Sequence, residues 1–309
     1  METIFNMKKR TAFIGALLSL VSFFQPLIIK TSVVFSTFSL LSLIILMPQK
    51  AEAITAMDYV KSGRFRFGVN DYSGAILDFT KAIEIDPNYA DAYRFRGFTR
   101  YKLGDYYLAI LDFTKAIEID PNYADTYLKR GLAKKDAKDY SGAISDYTKA
   151  IEIDPNLKDA YNNIGRVKHI LGDYSGAISD YAKAIEIDPN YGIAYYNRGI
   201  VKDDLKDYSG AISDYTKAIE INPKDANSYA NRGIVKDDLK DYSGAISDYT
   251  KAIEIDPNYG IAYYNRAIAK RKIKDYSGAI SDYTKAIEIN PKDANAYANR
   301  GIVKDDLKD

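Results

Sequence analysis

The chain of 309 residues carries 43 Lys plus Arg against 42 Asp plus Glu, with one His and no Cys. The lack of Cys excludes disulfides, thiolate nucleophiles and Cys-ligated zinc, and a single His cannot build a multi-His metal cage. A net charge of +1 argues against the basic patch that neutralises nucleic-acid phosphates. We therefore expect no cofactor, no metal centre and no nucleic-acid partner.

The first 53 residues have the composition of a targeting segment. A basic cluster at 8–10 precedes two apolar stretches, 11–29 and 31–47, which one lysine separates. One helix through both would be about 55 Å long, against a hydrocarbon thickness of about 30 Å. The sequence Ala-Glu-Ala at 51–53 supplies the small-x-small pattern that a signal peptidase cleaves. We predict that residues 1–53 are a signal peptide.

An uncleaved membrane anchor is the alternative for this segment, because a signal peptide usually spans about 15 to 30 residues. The basic cluster predicts a cytoplasmic N-terminus, which places residues 54–309 outside the cytoplasm whether the segment is cleaved or spans once. We thus expect a protein that is exported to a periplasmic, lumenal or extracellular space, or anchored in a membrane and facing outside. Two spans would instead leave the rest of the chain in the cytoplasm.

After residue 53 the chain is a tandem repeat. Seven of the nine prolines follow one another at intervals of 34 residues, at Pro87, Pro121, Pro155, Pro189, Pro223, Pro257 and Pro291. A fixed period of this size indicates a solenoid. The units are 56–89, 90–123, 124–157, 158–191, 192–225, 226–259 and 260–293, with a half unit at 294–309. They leave no room for a separate catalytic domain, so we expect no enzyme.

Each unit shows helical spacing of apolar and small residues twice. In the unit 226–259 the first run precedes a polar turn, and Asp241 is placed to cap the second helix. Pro257 ends that helix, because proline lacks an amide donor and disfavours helical geometry in the residue before it. The sequence therefore predicts one helix hairpin per unit.

The pattern resembles the tetratricopeptide repeat. The aromatic at the fourth position of each unit is Tyr59, Tyr93, Tyr127, Tyr161, Tyr195, Tyr229, Tyr263 and Tyr297. The small residue at the eighth position is Gly63, Gly97, Gly131, Gly165, Gly199, Gly233, Ala267 and Gly301. The resemblance implies an all-α fold of tandem helix-turn-helix repeats over residues 54–309, forming a right-handed superhelical α-solenoid. It also implies a concave groove, lined by the first helices, that binds extended segments of partner proteins.

By resemblance, the second, fifth, sixth, ninth and twelfth residues of each unit face this groove. Five consecutive units carry an amide at the sixth position, namely Asn163, Asn197, Asn231, Asn265 and Asn299. An amide donates to and accepts from a peptide backbone at once, which suits capture of an extended chain. The alternative is that these asparagines brace neighbouring helices.

Apolar and aromatic groove positions complete the candidate peptide-binding site. Tyr196 and Tyr264, with Ile200, Ile234 and Ile268, have the composition of a protein-binding hot spot. Toward the N-terminal end the groove is more basic and aromatic, with Arg94 and Phe98. The Lys, Asn and Arg set with which some family members clamp a C-terminal carboxylate is absent.

We predict a non-enzymatic scaffold that binds peptide segments of a protein partner. The alternative is a self-assembling array, or an assembly factor for a membrane complex, that stacks through its uncapped C-terminal end. That end keeps the internal-type residues Tyr297, Ile302 and Leu307, whereas terminal repeats usually carry a polar outer face. We assign His169 no role, and the acidic pairs 203–204 and 237–238 are interpreted as solvated charge.

Overall fold

The computed structural model describes residues 54–308. The predicted signal peptide or anchor therefore lies outside the described residues. No helix within residues 54–308 is both long enough and apolar enough to cross a bilayer.

Residues 54–308 form fifteen α-helices and no strand. The first helix of each unit is α1 (Ala56–Gly68), α3 (Ala90–Lys102), α5 (Ala124–Asp136), α7 (Lys158–Ile170), α9 (Gly192–Asp204), α11 (Ala226–Asp238), α13 (Gly260–Lys272) and α15 (Ala294–Asp306). The second helix is α2 (Tyr72–Ile85), α4 (Tyr106–Ile119), α6 (Tyr140–Ile153), α8 (Tyr174–Ile187), α10 (Tyr208–Ile221), α12 (Tyr242–Ile255) and α14 (Tyr276–Ile289). The predicted all-α solenoid is thus confirmed.

The second helices begin at an aspartate cap. Asp241 accepts a hydrogen bond from the Gly244 amide at 2.9 Å, as predicted for an N-cap. A Cβ on Gly244 would lie 2.1 Å from the Asp241 carboxylate, so the cap requires glycine at this place. Helix α4 shows the consequence, because Leu108 stands there and Asp105 makes no side-chain cap.

The core of each hairpin is an aromatic ring that packs on the small residue of the eighth position, which is glycine in six hairpins and Ala267 in the seventh. The rings belong to the second helices and are almost completely buried, at Phe79, Phe113, Tyr147, Tyr181, Tyr215, Tyr249 and Tyr283. A Cβ on Gly199 would lie 2.8 Å from the Tyr215 ring, so only the missing side chain allows this approach. The fourth-position tyrosines, which carry the resemblance to the repeat family, are mostly only partly buried.

A buried aspartate joins the two helices of most units. Asp248 accepts two hydrogen bonds from Arg232, at 2.9 and 2.7 Å, and lies 2.7 Å from Lys236. We call this arrangement the arginine fork. It recurs at Arg96–Asp112, Arg130–Asp146, Arg198–Asp214 and Arg266–Asp282. Because Arg232 also donates to Thr216 of the preceding unit, the fork fixes the stacking of units as well as the hairpin.

The stacking curves in one direction. Each second helix packs against its own first helix and the first helix of the next unit. From α1 to α13, consecutive first helices also contact one another. The inner side of a curved stack is the one on which neighbouring elements lie closer together, so the first helices line the concave face of this superhelix.

Candidate functional site

Open clefts follow the concave face of the repeat array. Two equivalent clefts lie 68 residues apart in sequence, one of about 290 Å³ beside Ile193 and Tyr196 and one of about 310 Å³ beside Ile261 and Tyr264. Each lies between the second and fifth positions of a first helix and the C-terminal end of the following helix. The intervening unit has Asn227 and Ala230 at those positions, so the array alternates aromatic and small surfaces.

Tyrosines at the ends of units also line these clefts, and sequence reasoning missed them. Tyr191 and Tyr259 are the last residues of their units. The Tyr259 hydroxyl donates to Asn227 Oδ1 at 2.9 Å, and the Tyr191 hydroxyl donates to Asp159 at 2.5 Å. A signal was available in the sequence, because the last position of the seven units is a tyrosine four times, at Tyr89, Tyr123, Tyr191 and Tyr259, and is Leu157 or an aspartate in the others. It was missed because only the first helices were considered.

The N-terminal part of the groove is a separate basic and aromatic cleft of about 280 Å³. Phe98 lines it and lies under two ammonium groups, Lys102 Nζ at 5.4 Å and Lys129 Nζ at 5.7 Å from the ring centre. Arg94 lies over the Tyr123 ring at 4.1 Å and is ion-paired. Phe98 therefore shares the apolar surface of this cleft with Phe95 and Tyr123.

Arg94 is held by two carboxylates. Its guanidinium lies 2.6 Å from Asp91 and 2.5 Å from Asp120, and it donates to the Thr126 hydroxyl at 2.9 Å. Because its charge is compensated, Arg94 can contact a ligand through the flat face of its guanidinium and its remaining N–H groups, but not as an unpaired cation.

The five predicted asparagines differ in what they contact. Asn197 donates to Asn162 Oδ1, Asn231 to the Tyr196 hydroxyl and Asn299 to the Tyr264 hydroxyl, at 2.9, 3.0 and 2.8 Å. In each case the acceptor is the fifth residue of the preceding unit. These three amides brace neighbouring units and keep their carbonyl oxygens for another partner.

Asn163 and Asn265 have no such acceptor. The fifth residue of the preceding unit is Leu128 for the former and Ala230 for the latter, and neither side chain can accept a hydrogen bond. Asn163 is 7% exposed, whereas Asn265 is half-buried. Within the described residues, Asn265 is therefore the one asparagine of the five whose side chain is partly exposed and makes no hydrogen bond to a fifth-position side chain.

Tyr196 and Tyr264 lie half-buried at the mouth of their clefts. Burial raises the pKa of Tyr196, so its hydroxyl stays protonated and keeps a hydrogen to donate. Ile200, Ile234 and Ile268 pack at the edges of the hydrophobic clusters around Tyr215, Tyr249 and Tyr283. The isoleucines thus join the groove surface to the core beneath it.

Polar pairs join neighbouring first helices, between the twelfth residue of one unit and the thirteenth residue of the next. His169 lies 2.7 Å from Asp204, and Arg271 lies 2.6 Å from Asp306. Asp203 takes the same place as His169 but meets another acid, Asp238. Burial and the charges of Asp238 and Asp204 raise its pKa. The interpretation of the acidic pairs as solvated charge is wrong for Asp203, which is partly buried.

Within residues 54–308 no cluster of three or more His, Asp or Glu residues is placed to hold a metal ion. The side chains that converge on the concave face are aromatic rings, amides and paired charges. Such groups can bind the backbone and side chains of an extended polypeptide.

Family models identify the repeat. One, described as "Tetratricopeptide repeat", matches residues 90–123, 192–225, 226–259 and 260–293. A second, described as "TPR repeat", matches residues 69–104, 134–169 and 165–202. Together they cover more than two thirds of the chain. The fold defines an α-solenoid of helix hairpins with clefts along its concave face. The chain belongs to the tetratricopeptide repeat family.

Solved structures of this class are similar to the chain. YrrB, described as a TPR protein with an unusual peptide-binding site, is 25% identical, with a TM-score of 0.52 over 61% of this chain and 97% of its own. The MamA protein is 27% identical, with a TM-score of 0.50 over 57% and 96%. The C-terminal part of a TPR protein from Cytophaga hutchinsonii is 22% identical, with a TM-score of 0.62 over 77% and 98%. No curated protein matches the chain.

Proposed function

We propose that the protein is a non-enzymatic scaffold that binds an extended peptide segment of a partner protein along its concave face. The observation that carries this proposal is the pair of equivalent clefts beside Tyr196 and Tyr264. Tyrosine is one of the residue types that dominate binding energy at protein interfaces, and the isoleucines beside it add apolar surface. A peptide is the ligand that such a row of separate, open clefts fits.

The spacing of the clefts supports an extended ligand. The two tyrosine clefts are separated by one whole unit whose fifth residue is the small Ala230. A chain that fills both must pass over this unit and its Asn231, and then meets Asn265 of the next unit; both offer amide groups to its backbone. Similarity to YrrB, whose description names a peptide-binding site, favours the same class of ligand.

The test is binding of a panel of short synthetic peptides to the full chain. We expect at least one sequence class to bind, and the double variant Tyr196→Ala with Tyr264→Ala to lose that binding. Hot-spot truncations typically cost 2 kcal/mol or more, about thirtyfold in affinity. Binding would be measured by fluorescence anisotropy.

Two controls make the result specific. Tyr107→Ala truncates an exposed tyrosine on the second helix α4 and is expected to leave peptide binding unchanged. Tyr196→Phe with Tyr264→Phe removes only the two hydroxyls that accept from Asn231 and Asn299, which separates loss of the rings from loss of bracing. Equal binding by the wild-type chain and the double alanine variant would contradict the groove assignment.

A further inference from the structure

In one unit, the side chains at the seventh and ninth positions are the reverse of those in several other units. The tripeptide Arg-Gly-Ile stands at 198–200, 232–234 and 300–302, whereas residues 164–166 read Ile-Gly-Arg. The central glycine, Gly165, still packs on its tyrosine ring. The exchange therefore moves an arginine from the seventh position, where it forms the fork, to the ninth position, which faces the groove.

The exchange removes the arginine fork from its own unit and buries Ile164 in its place. Asp180 stands where the other units have the fork aspartate, but Ile164 cannot donate to it. Its cationic partner is Lys168, whose Nζ lies 2.8 Å from Asp180 Oδ2. Burial raises the pKa of Asp180 despite this lysine. The unit gives up a bidentate arginine bond that five other units keep.

The displaced arginine lies on the groove surface and forms no ion pair within residues 54–308. Against the effect of burial, hydrogen bonds from Lys135 and Tyr101 lower the pKa of Asp136, and the charge of Arg166 adds to that lowering from beyond ion-pair distance. Arg166 is exposed, and no carboxylate within residues 54–308 lies within 4.0 Å of its guanidinium nitrogens. Burial raises the pKa of Tyr147 and Tyr181, and the positive charge of Arg166 offsets part of that rise. The guanidinium is thus near the inner surface of two successive hairpins.

Burial of Ile164, which is 6% exposed within a hydrophobic cluster, accounts for the seventh position but not for an arginine at the ninth. Natural proteins break local rules mainly at functional sites, so the ninth position points to a binding role. At the ninth position the flanking units carry Leu132 and Ile200, and Phe98 lies one unit further. Arg64 of the first unit is the other guanidinium in this row and lies over the Phe95 ring, so Arg166 has apolar residues on both sides. A guanidinium in that setting is matched by one carboxylate, with which it forms two parallel hydrogen bonds.

We propose that Arg166 binds the side-chain carboxylate of an Asp or Glu at an internal position of the partner peptide. An internal position follows because apolar groove residues continue on both sides of Arg166, so that the bound chain extends past it in both directions. The proposal rests on the proposed function, since it names the chemistry of the peptide that the groove takes.

The experiment compares two matched peptide libraries on the full chain. Each peptide has a central Glu between apolar residues, and its twin has Gln at that place. We expect the Glu peptides to bind the wild-type chain about tenfold more tightly, as for a charge-assisted hydrogen bond. Arg166→Gln should remove this preference and leave the affinity for the Gln peptides unchanged.

A second variant separates the site from the fold. Ile164→Arg with Arg166→Ile restores the order found in the other units, so Asp180 regains its arginine partner. We expect this exchange variant to unfold at a higher urea concentration than the wild-type chain and yet to lose the preference for Glu. Lys183→Gln removes one positive charge from the second helix of the same unit and should keep the preference.

The outcomes distinguish the two proposals. Peptides that bind with equal affinity in their Glu and Gln forms would overturn the role of Arg166 and leave the groove function standing. A preference that survives in Arg166→Gln, or disappears in Lys183→Gln, would also overturn it. Binding of no peptide from either library would overturn the groove function itself.

Discussion

At the scale of single residues, the position of a tyrosine within the repeat decides its burial. The fourth-position tyrosines and the second-helix rings recur with the same period, so periodicity alone cannot rank them. The structure ranks them by burial, because the second-helix ring lies over a small residue that allows close approach. The fourth-position ring instead lies beside a fork arginine, as Tyr229 does with Arg232 at 5.7 Å.

Truncation of these two kinds of tyrosine should therefore differ in cost. Tyr215→Ala removes a ring that is 1% exposed and leaves a cavity, which typically costs about 3 to 5 kcal/mol for an aromatic residue. Tyr195→Ala removes a half-buried ring of the same unit and should cost less than half as much. Urea unfolding followed by circular dichroism measures both, and equal costs would contradict this view of the core.

The asparagines show what sequence reasoning could and could not decide at this scale. Whether an asparagine amide braces the array depends on the fifth residue of the preceding unit. Tyr196 can accept a hydrogen bond from the amide, whereas Ala230 cannot. That information is present in the sequence. It becomes usable only when the register between neighbouring units is known, and the hydrogen bond of Asn231 supplies that register.

At the scale of helices, the sequence predicted the ends well because both ends depend on local chemistry. Aspartate caps begin the second helices, and proline follows their C-terminal ends. The exception at Asp105 arises from Leu108, whose Cβ takes the place of the carboxylate. Contacts between first helices were less predictable, because they depend on pairs of residues 35 apart that come together only after stacking.

The acidic pair between α9 and α11 gives a pH-dependent prediction. The raised pKa of Asp203 means that its neutral form is favoured in the fold, so its ionised form lowers stability at neutral pH. Asp203→Asn should raise the free energy of unfolding at pH 7 by less than about 1 kcal/mol, since the group is only partly buried. The gain should shrink as the pH falls through the folded-state pKa and vanish below the ordinary value of 3.8.

Asp204→Asn is the matched control for this prediction. It relieves one of the two charges that act on Asp203 but weakens the contact with His169 at 2.7 Å, so it should stabilise the fold less than Asp203→Asn does. Unfolding in urea at several pH values measures both variants. A gain in Asp203→Asn that persists below pH 3.8 would contradict the assignment.

At the scale of the whole array, the described part of the chain leaves one face of α15 uncovered. Tyr297, Ile302 and Leu307 are 46, 45 and 52% exposed, and Gly301 has no described atom within 4 Å of a Cβ placed on it. In other units a second helix covers this face. Self-association through it stays a prediction, and of these three residues only Ile302, at a ninth position, also faces the groove.

Sedimentation of the full chain tests self-association. If α15 mediates it, Ile302→Glu should shift the wild-type oligomer to a monomer, because a charge in an apolar interface is costly to bury. Ser281→Glu introduces the same charge on the exposed surface of α14 and should leave the oligomer intact. A wild-type chain that is already monomeric would count against the prediction.

The central claim, that a peptide occupies the concave face, has a direct measurement because the chain contains no Cys. Single cysteines would be placed in the groove at Ile193→Cys and Ile261→Cys, and on second helices at Ser213→Cys and Ser281→Cys, all four positions being exposed. Alkylation rates would be measured with and without a bound peptide. The account predicts slower alkylation at 193 and 261 and unchanged rates at 213 and 281. Protection at 213 and 281, with none at 193 and 261, would contradict it.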